Sequence, residues 1–404
     1  MNPSAKGAPR SLLDQRITRG ERWIFSAGFN VAPGRDTGRI DIELDDIARL
    51  ADAGARVAVL SHQGSHKHST ARHLGDVAAY LSSRLDRKVA YVPENATDAA
   101  IARSHTLAPG EVALFGNTRH HLGEEANDSA LAARFARLGD KIAIGGFSKA
   151  HRCHASNTGL LTLRPGWAAH SLLTETERLS PWSGADPSVP SLAVLGGVKP
   201  EKTLIGLRSL CRVYDTVVPG GAVLNHILHA LGHQIGDSEL GEQPKRCARA
   251  SDEIMRSTTA RVHIPGTVVI ARRSGNSFTT PREIRTADGV PPGYAIVDFR
   301  LEAWLADLLQ TFRGTGCRAV LAGTPTLYSE GFRHASAQLL DWASAPRIEA
   351  ILLGGDTVSE LPFDGPTSTG GGSALYYLGN ADLPVLRALR ENASMPWMET
   401  GFGE

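Results

Sequence analysis

A chain of 404 residues is long enough for two or three domains of ordinary size. Its 42% hydrophobic and 21% charged residues are typical of a globular protein with a sizeable core, and they exclude intrinsic disorder. With 43 basic and 42 acidic residues, the net charge of +1 argues against nucleic acid or a membrane surface as a partner recognised by bulk charge. Any anion site must therefore be local.

The first 16 residues lack the apolar core of a signal peptide, and no later stretch approaches the roughly 18 apolar residues of a membrane span. The widely spaced cysteines form no CxxC pair, so they indicate neither a disulfide scaffold nor a thiolate zinc site. They are Cys153, Cys211, Cys247 and Cys317. We therefore expect a cytoplasmic protein.

Along the first half, short apolar runs alternate with helix-length stretches. The runs begin at Arg56, Lys88, Glu111 and Lys141. Continuous runs of this length are typical of strands buried on both faces. Between them, residues 40–54 and 71–85 carry apolar side chains at spacings of three and four, which predicts helices. The alternation predicts a parallel sheet with crossover helices.

A Pro/Ser/Gly-rich stretch at residues 177–190 interrupts this pattern, and further apolar runs follow it. We place a domain boundary there, between an N-terminal domain over 1–186 and a C-terminal domain over 187–385. The tail, 386–404, is expected to pack back on the N-terminal domain. The predicted fold class is α/β, with two doubly wound, Rossmann-like parallel-sheet domains and a cleft between them.

Within the second half, residues 241–256 are predicted to be a helix. Residues 272–292 are polar and rich in Gly and Pro, so a surface loop is expected there.

Glycines gather where the apolar runs of the second half end. They are Gly196, Gly197, Gly220, Gly221, Gly354, Gly355, Gly370, Gly371 and Gly372. Ligands of open parallel sheets bind beyond the carboxyl ends of strands, where glycines let backbone N–H groups approach phosphate oxygens. One such glycine is more often a simple turn, but four clusters, with two of the chain's few lysines in GGVKPEK, favour a nucleotide site. Neither the P-loop nor the dinucleotide fingerprint is present.

Asp356 follows one of these clusters, in LLGGDT. It is predicted to cap a helix N-terminus or to ligate a nucleotide-bound Mg²⁺, which prefers carboxylates alongside phosphates. Both roles can hold at once.

Basic residues follow the predicted strands of the first half. They are Arg39, His62, Arg119, His151, Arg152 and His154. If their loops share one edge of the sheet they form a pocket suited to phosphate or carboxylate; the alternative is a solvated surface. Despite the many histidines, no zinc is expected, because no HExxH or Cys/His spacing is present. No nucleophile motif is present either.

Several short motifs occur in order across nearly the whole chain. They are FN at 29–30, RI at 39–40, SHxG at 61–64, AHRxHAS at 150–156, LGGxK at 195–199, DTxxxGG at 215–221, GDT at 355–357 and STGGG at 368–372. In this ordered set the sequence resembles phosphoglycerate kinase.

The resemblance implies a hinge-closing, monomeric kinase that passes a phosphoryl group between ATP and a carboxylate, giving an acyl phosphate, with Mg²⁺ as cofactor. Its partners would be a small carboxylic acid, held by the N-terminal domain, and ATP or ADP, held by the C-terminal domain. Carried over residue by residue, the acid pocket comprises Asn30, His62, Arg119, His151 and Arg152. The catalytic residues nearest the transferred group would be Arg39 and Lys199. The nucleotide site would comprise the nine glycines with Lys202, Glu330 and Thr357, and Asp356 would hold Mg²⁺.

Departures from the family pattern fall on the acid pocket. The family's D-F-N-V-P reads G-F-N-V-A here, so Gly28 stands where the family has the acid that meets the substrate hydroxyl. Ser65 replaces a phosphate-binding Arg, although His66 and Lys67 follow it. The family's N-D-A-F reads I-G-G-F over residues 144–147.

On the nucleotide side, the family's second lysine falls on Thr203, with Lys202 one position early. Glu330 matches the ribose-contacting acid only with a one-residue shift, and Leu353 replaces the first glycine of GGGD.

These losses cluster on ligand contacts, while Lys199 and three pocket arginines remain. We therefore expect a specialised biosynthetic kinase. Its acid would keep an anionic tail, phosphate or phosphonate, but lack the 2-hydroxy group. The acyl phosphate would pass to a downstream enzyme, for reduction or amide formation. The alternatives are a housekeeping 3-phosphoglycerate kinase of glycolysis and a catalytically inactive nucleotide-binding relative.

Overall fold

The structure, a computed structural model, describes residues 7–31, 37–275 and 277–397. Parts of two predicted segments, residues 1–6 of the N-terminal domain and 398–404 of the tail, lie outside the described residues. The chain divides into two compact units. The first comprises Met1–Arg178 together with Asp382–Glu404, and the second comprises Leu179–Ala381.

A six-stranded parallel sheet forms the centre of the first unit. Its strands are β1 (Arg22–Ser26), β2 (Arg56–Ser61), β3 (Val89–Val92), β4 (Val112–Asn117), β5 (Lys141–Ile144) and β6 (Gly166–Ala168). They lie in the order β3-β4-β2-β1-β5-β6, so the strand order reverses at β1. Strands β2 and β4 are buried along nearly their whole length, which explains their continuous apolar sequences. The predicted parallel sheet is confirmed.

Helices connect these strands. They are α1 (Gly38–Asp41), α2 (Leu44–Asp52), α3 (Gly75–Arg84), α4 (Asp98–His105), α5 (Ser129–Phe135) and α6 (His170–Leu179). The single helix predicted over 40–54 is divided into α1 and α2. Glu43 precedes α2, where its side chain makes no cap hydrogen bond, because its carboxylate turns inward and accepts the N–H of Gly28.

The second unit has its own parallel sheet and a smaller antiparallel one. Its strands are β7 (Ser191–Leu195), β8 (Thr216–Pro219), β9 (Arg261–Val262), β10 (Thr267–Ser274), β11 (Ser277–Arg285), β12 (Tyr294–Phe299), β13 (Cys317–Ala322), β14 (Ile348–Leu353) and β15 (Thr367–Ser368). The parallel sheet has the order β15-β14-β13-β7-β8-β9, with its reversal at β7. With it, the predicted α/β class is confirmed for both units.

Seven helices are described in this unit. They are α7 (Arg208–Leu210), α8 (Gly221–Ala230), α9 (Pro244–Ser257), α10 (Ala303–Thr315), α11 (His334–Ala343), α12 (Gly355–Glu360) and α13 (Gly371–Asn380). A π-helical turn, Lys202–Leu207, leads into α7. Helix α9 confirms the helix predicted over 241–256. None of the described helices has the length and apolar character needed to cross a bilayer.

The surface loop predicted over residues 272–292 is wrong for most of its length. Strands β10, β11 and β12 form an antiparallel sheet in the order β11-β10-β12. Strand β11 lies at the edge and is exposed along most of its length, so its side chains are polar and show no apolar alternation. Pro281 is tolerated there because an edge strand has a side on which no N–H is needed.

The last described helix, α14 (Pro384–Ala393), belongs to the first unit. It is tied to β6 by Asn392, whose side chain is fully buried. The Asn392 amide oxygen accepts the N–H of Gly166 at 2.8 Å, and its nitrogen donates to the carbonyls of Leu161 and Arg164 at 2.6 and 2.8 Å. One side chain thus satisfies three backbone groups, as burial requires.

Candidate active site

The predicted acid-pocket residues lie in loops at one edge of the first sheet, which we call the basic edge. It is formed by the carboxyl ends of β1, β2, β4 and β5, which are neighbours in the sheet. Asn30 follows β1, His62 follows β2, and Arg119 follows β4. His151 and Arg152 follow β5 after a short 3₁₀ turn. Because parallel strands end on the same side, the fold brings these five loop residues to the edge where ligands of such sheets bind.

Asn30 connects the loops that follow β1 and β2. Its Oδ1 accepts the N–H of Gly64 at 3.0 Å. Its backbone carbonyl accepts a hydrogen bond from Nη1 of Arg39 at 3.3 Å. The predicted catalytic arginine is therefore anchored beside Asn30, at the start of α1.

Arg119 is a buried cation of the basic edge, with 2% of its surface exposed. It forms an ion pair with Glu125. Burial lowers the pKa of its guanidinium to about 10, assisted by the charge of Arg152 and opposed by Glu124. Arg119 therefore remains charged at neutral pH and can bind an anion.

The histidines of this edge are neutral at physiological pH. Burial, and then the nearby arginines, lower the pKa of His151 to about 3 and that of His154 to about 2. The same causes hold the pKa of His62 well below its usual value. Nε of Arg152 donates to Nε2 of His151 at 3.1 Å, which requires that nitrogen to be unprotonated. The positive charge therefore comes from the arginines, and the imidazoles supply neutral polar contacts.

Two charged residues that the sequence analysis did not select, Glu43 and Lys149, lie beneath the basic edge. Each is only 2% exposed. The N–H of Gly28 donates to Oε1 of Glu43 at 3.1 Å, and Nζ of Lys149 donates to Oγ of Ser26 at 2.8 Å. Burial raises the pKa of Glu43 and lowers that of Lys149, and each charge opposes the effect of burial on the other. The only signal in the sequence was the glycines at positions 28 and 145.

The predicted nucleotide residues lie at the corresponding edge of the second sheet, which we call the glycine edge. Its loops approach one another backbone to backbone. The N–H of Gly197 donates to the carbonyl of Thr324 at 3.0 Å, and that of Gly221 to the carbonyl of Pro325 at 2.8 Å. A Cβ on Gly221 would lie 2.9 Å from the nitrogen of Gly197, so only glycine fits there.

The other predicted glycines also follow strands of this sheet. Gly196 follows β7, Gly220 precedes α8, and Gly354 follows β14. Gly355 begins α12, Gly370 precedes α13, and Gly371 and Gly372 begin α13. Helices α8 and α13 each have ten residues and begin at this edge. The N–H groups of Gly221 and Ala222 in α8 donate to the carbonyls of Pro325 and Gly197, so the start of α13 is where an anion is favoured.

Three charged groups lie at the glycine edge. Nζ of Lys199 is 2.6 Å from Oδ2 of Asp356, and both side chains are largely exposed. Nζ of Lys202 is buried without a hydrogen-bond partner and lies 3.8 Å from the Cβ position of Gly354. Burial, followed by the charge of Lys199, lowers the pKa of Lys202 to about 8. An unpartnered buried ammonium group costs free energy that phosphate oxygens would recover.

Thr203, where the family motif has its second lysine, cannot meet a nucleotide. Its side chain is buried, and its hydroxyl lies 3.0 Å from Nδ1 of His226 in α8. A second ammonium group at this edge, besides that of Lys199, belongs to Lys202, one residue earlier, at the start of the π-helical turn.

The other predicted nucleotide residues differ in position. Thr357 is buried in α12, with its Oγ1 3.2 Å from the Cβ position of Gly354. Glu330 lies on an exposed 3₁₀ turn. Glu360, which the sequence analysis did not select, instead ties that loop down by accepting from Thr324 and Ser329.

Asp356 is the carboxylate at this edge that could ligate Mg²⁺. Among the described residues no group of three or more His, Cys, Asp or Glu side chains could hold a metal by itself. A single exposed carboxylate fits Mg²⁺ that is carried mainly by nucleotide phosphates.

Comparison with known proteins identifies the family. The family model described as phosphoglycerate kinase matches residues 16–380. The chain belongs to the phosphoglycerate kinase family. It is 34% identical over 403 residues to the phosphoglycerate kinase of Rhizorhabdus wittichii, covering 94% of this chain and 99% of that protein. It is 31% identical over 387 residues to that of Moorella thermoacetica, covering 92% and 96%. The chain is therefore a phosphotransferase of the phosphoglycerate kinase family.

Solved structures of phosphoglycerate kinases have the same fold. That from Coxiella burnetii superposes with a TM-score of 0.70 at 25% identity, covering 95% of this chain and all of that one. The crystal structure from Pyrococcus horikoshii has a TM-score of 0.74 at 23% identity, covering 95% and 99%. The two-domain phosphoglycerate kinase fold expected from the resemblance is confirmed.

Nucleotide binding is expected to take up protons above pH 8. In the free protein the pKa of Lys202 is about 8, whereas neighbouring phosphate oxygens would favour its charged form. Affinity for ADP should therefore be constant below pH 8 and fall by up to about tenfold per pH unit above it. Calorimetry at pH 8.5 in buffers of different ionisation enthalpy measures the uptake. If Lys202→Met takes up as many protons as the wild type when ADP binds, Lys202 is not the group that takes up the protons.

Proposed function

We propose that the protein transfers the γ-phosphoryl group of ATP to the carboxylate of a phosphate- or phosphonate-bearing acid that lacks a 2-hydroxy group. A carboxylate oxygen forms a bond to Pγ, the bond from Pγ to the β–γ bridging oxygen breaks, and ADP leaves with that electron pair. The product is an acyl phosphate. Such a transfer needs positioning and charge neutralisation more than a protein nucleophile, which accords with the groups described at the two edges.

The packing around Gly28 is the observation that supports the proposed class of acid substrate. A Cβ at this position would lie 2.7 Å from Cα of Gly146 and 3.0 Å from Oγ of Ser148. Real Cβ atoms do not approach backbone carbon so closely, so no hydroxyl-binding side chain fits at position 28 without a backbone shift. A substrate hydroxyl beside Gly28 would lose the partner that the family pattern provides, and such a loss changes selection by orders of magnitude.

The cations that remain in the predicted acid pocket support a substrate that keeps an anionic tail. Glu125 pairs with Arg119 and lies 3.5 Å from Nζ of Lys67. An anionic group on the substrate would pair with Arg119 and Lys67 in place of Glu125. Ser65 is too short to replace the family's phosphate-binding Arg, so His66 and Lys67, which follow it, are the proposed substitutes in that loop.

At the glycine edge, we assign Lys199 to the transferred phosphoryl group and Lys202 to the nucleotide phosphates. The backbone N–H groups at the start of α13 supplement them. Mg²⁺ bound with the nucleotide would neutralise phosphate charge, with Asp356 as its protein ligand. Arg39, at the basic edge, keeps the catalytic role that the resemblance implies.

A second candidate is 3-phosphoglycerate itself as the acid. It is favoured by the relatives named above, which match nearly the whole chain and are called phosphoglycerate kinase. In either case we propose a monomer in the cytoplasm. The proposed location accords with four free cysteines. We further propose that a downstream enzyme consumes the acyl phosphate by reduction or amide formation.

Hydroxylamine trapping of acyl phosphate with Mg-ATP tests the proposal. The panel comprises 3-phosphoglycerate, its 2-deoxy analogue and 3-phosphonopropionate. We expect product with the acids that lack the hydroxyl, at least tenfold above that with 3-phosphoglycerate. The best turnover with 3-phosphoglycerate would establish the second candidate instead. ADP binding without product from any acid would identify a catalytically inactive relative.

A further inference from the structure

We infer that Glu43 is a positioning residue for acid recognition, an inference that rests on the proposed function. Its one buried carboxylate takes the place of two family acids and fixes the loop that carries Gly28 and Asn30.

Gly28 and Gly145 both stand where the family motifs have aspartate, in D-F-N-V-P and N-D-A-F. One oxygen of the Glu43 side chain faces each of these two glycines. Oε1 is 3.3 Å from the Cβ position of Gly28, and Oε2 is in contact with the Cβ position of Gly145. A single carboxylate, entering from the turn before α2, thus lies where the two missing side chains would begin.

The backbone conformation of Gly146 allows the Glu43 carboxylate to occupy this position. Gly146 has φ of +63°, in the left-handed region that favours glycine. Its Cα packs against Gly28, and a Cβ on Gly146 would lie 3.0 Å from the nitrogen of Gly28. Glycines at 28, 145 and 146 therefore let the loops after β1 and β5 come together above the Glu43 carboxylate.

Lys149 is a buried cation that acts on two acids. Its Nζ donates to Oγ of Ser26 at 2.8 Å, and Glu124 and then Glu43 favour its charged form, while its own charge favours the charged form of Glu43. The N–H of Lys149 donates to the carbonyl of Gly146 at 2.9 Å, and its carbonyl accepts the N–H of Arg152 at 3.0 Å. The lysine thus lies at the base of the turn that carries His151 and Arg152.

With only 2% of its surface exposed, Glu43 does not face substrate. It acts through the N–H of Gly28, whose carbonyl in turn accepts the N–H of Asn30 at 2.9 Å. Removing the carboxylate should release this loop and misplace Asn30 relative to Arg152. Misplacement of a binding group by about 1 Å can cost a hundredfold.

Glu43→Ala and Glu43→Gln test the inference. In Glu43→Ala we expect the KM for the acid to rise at least tenfold and the KM for ATP to stay within twofold. Glu43→Gln keeps an oxygen that can accept the N–H of Gly28. Combined with Lys149→Met, which removes an ammonium group left with Glu124 as its acidic neighbour, it should recover most of the acid affinity. Unchanged KM for the acid in folded Glu43→Ala would overturn the inference.

A matched control is Glu21→Gln, at the opposite end of β1. Glu21 is also a buried acid, paired with Lys141 at 2.8 Å and accepting from the indole of Trp23. Its loss should lower stability without altering the KM for the acid. An equal rise in that KM would mean that any buried charge of this unit has the same effect, and would also overturn the inference.

Hydrogen exchange separates failure of this inference from failure of the proposed function. Exchange at Gly28 should accelerate at least tenfold in Glu43→Ala, with exchange in β4 unchanged, whether or not any acid is turned over. If wild-type protein neither converts nor binds 3-phosphonopropionate while Gly28 is released, the proposed function fails and the positioning role stands. If Gly28 stays protected, the positioning role fails.

Discussion

Replacing Lys199 with alanine is expected to lower kcat for acyl phosphate formation by about 10³-fold, with the KM for the acid unchanged within about twofold. Removing one group that neutralises charge in the transition state typically costs this much. The exposed ammonium group pairs with Asp356 in the free protein, so it needs no rearrangement of the core to turn to a phosphate. Hydroxylamine trapping at saturating Mg-ATP gives the rate.

Lys245→Ala is the matched control, because Lys245 is exposed in the first turn of α9 and does not belong to a loop that follows a strand of the glycine edge. It should leave kcat unchanged. More than a tenth of the wild-type kcat in Lys199→Ala would show that Lys199 does not contact the transferred group. Loss of ADP affinity equal to the loss of kcat would assign Lys199 to ground-state nucleotide binding.

Restoring the family's acid by Gly28→Asp is expected to lower the free energy of unfolding by about 2 to 4 kcal/mol. The new Cβ would lie 2.7 Å from Cα of Gly146, and the new carboxylate would enter beside that of Glu43. Overpacking and an unpaired buried charge both destabilise. Activity with 3-phosphoglycerate should not increase. Chemical denaturation and the trapping assay measure the two effects.

Gly314→Asp provides the comparison, because a Cβ on Gly314 meets no heavy atom within 4 Å. Its stability should change by less than about 1 kcal/mol. A Gly28→Asp protein as stable as wild type, with increased turnover of 3-phosphoglycerate, would contradict both the packing argument and the proposed choice of acid.

Much of the fold could be predicted because buried parallel strands have a recognisable sequence. The runs at Arg56 and Glu111 became β2 and β4, since strands covered on both faces need continuous apolar side chains. Strand β11 could not be predicted this way. It is held by backbone hydrogen bonds to β10 at an exposed edge, so its side chains carry no apolar pattern.

The candidate site was predictable where side chains sit at strand ends, as with His62 and Arg119, because the topology of a parallel sheet gathers those loops. Glu43 and Lys149 were not predictable. A charged residue in an amphipathic stretch is usually solvated, and only the three-dimensional placement of Gly28 and Gly145 shows that these two charges lie inward. The position of the Lys202 side chain was not predictable either. It depends on the π-helical turn that begins at this residue, and the spacing of residues in the sequence does not specify such a turn.

The attachment of α14 to the first unit has a consequence for how the chain is synthesised. A ribosome delivers the ten residues of this helix only after it has delivered all of the second unit. Until then the N–H of Gly166 and the carbonyls of Leu161 and Arg164 lack the side chain of Asn392. The N-terminal unit, although begun first, is therefore completed last, and a nascent chain that stops early leaves it exposed to chaperones and proteases.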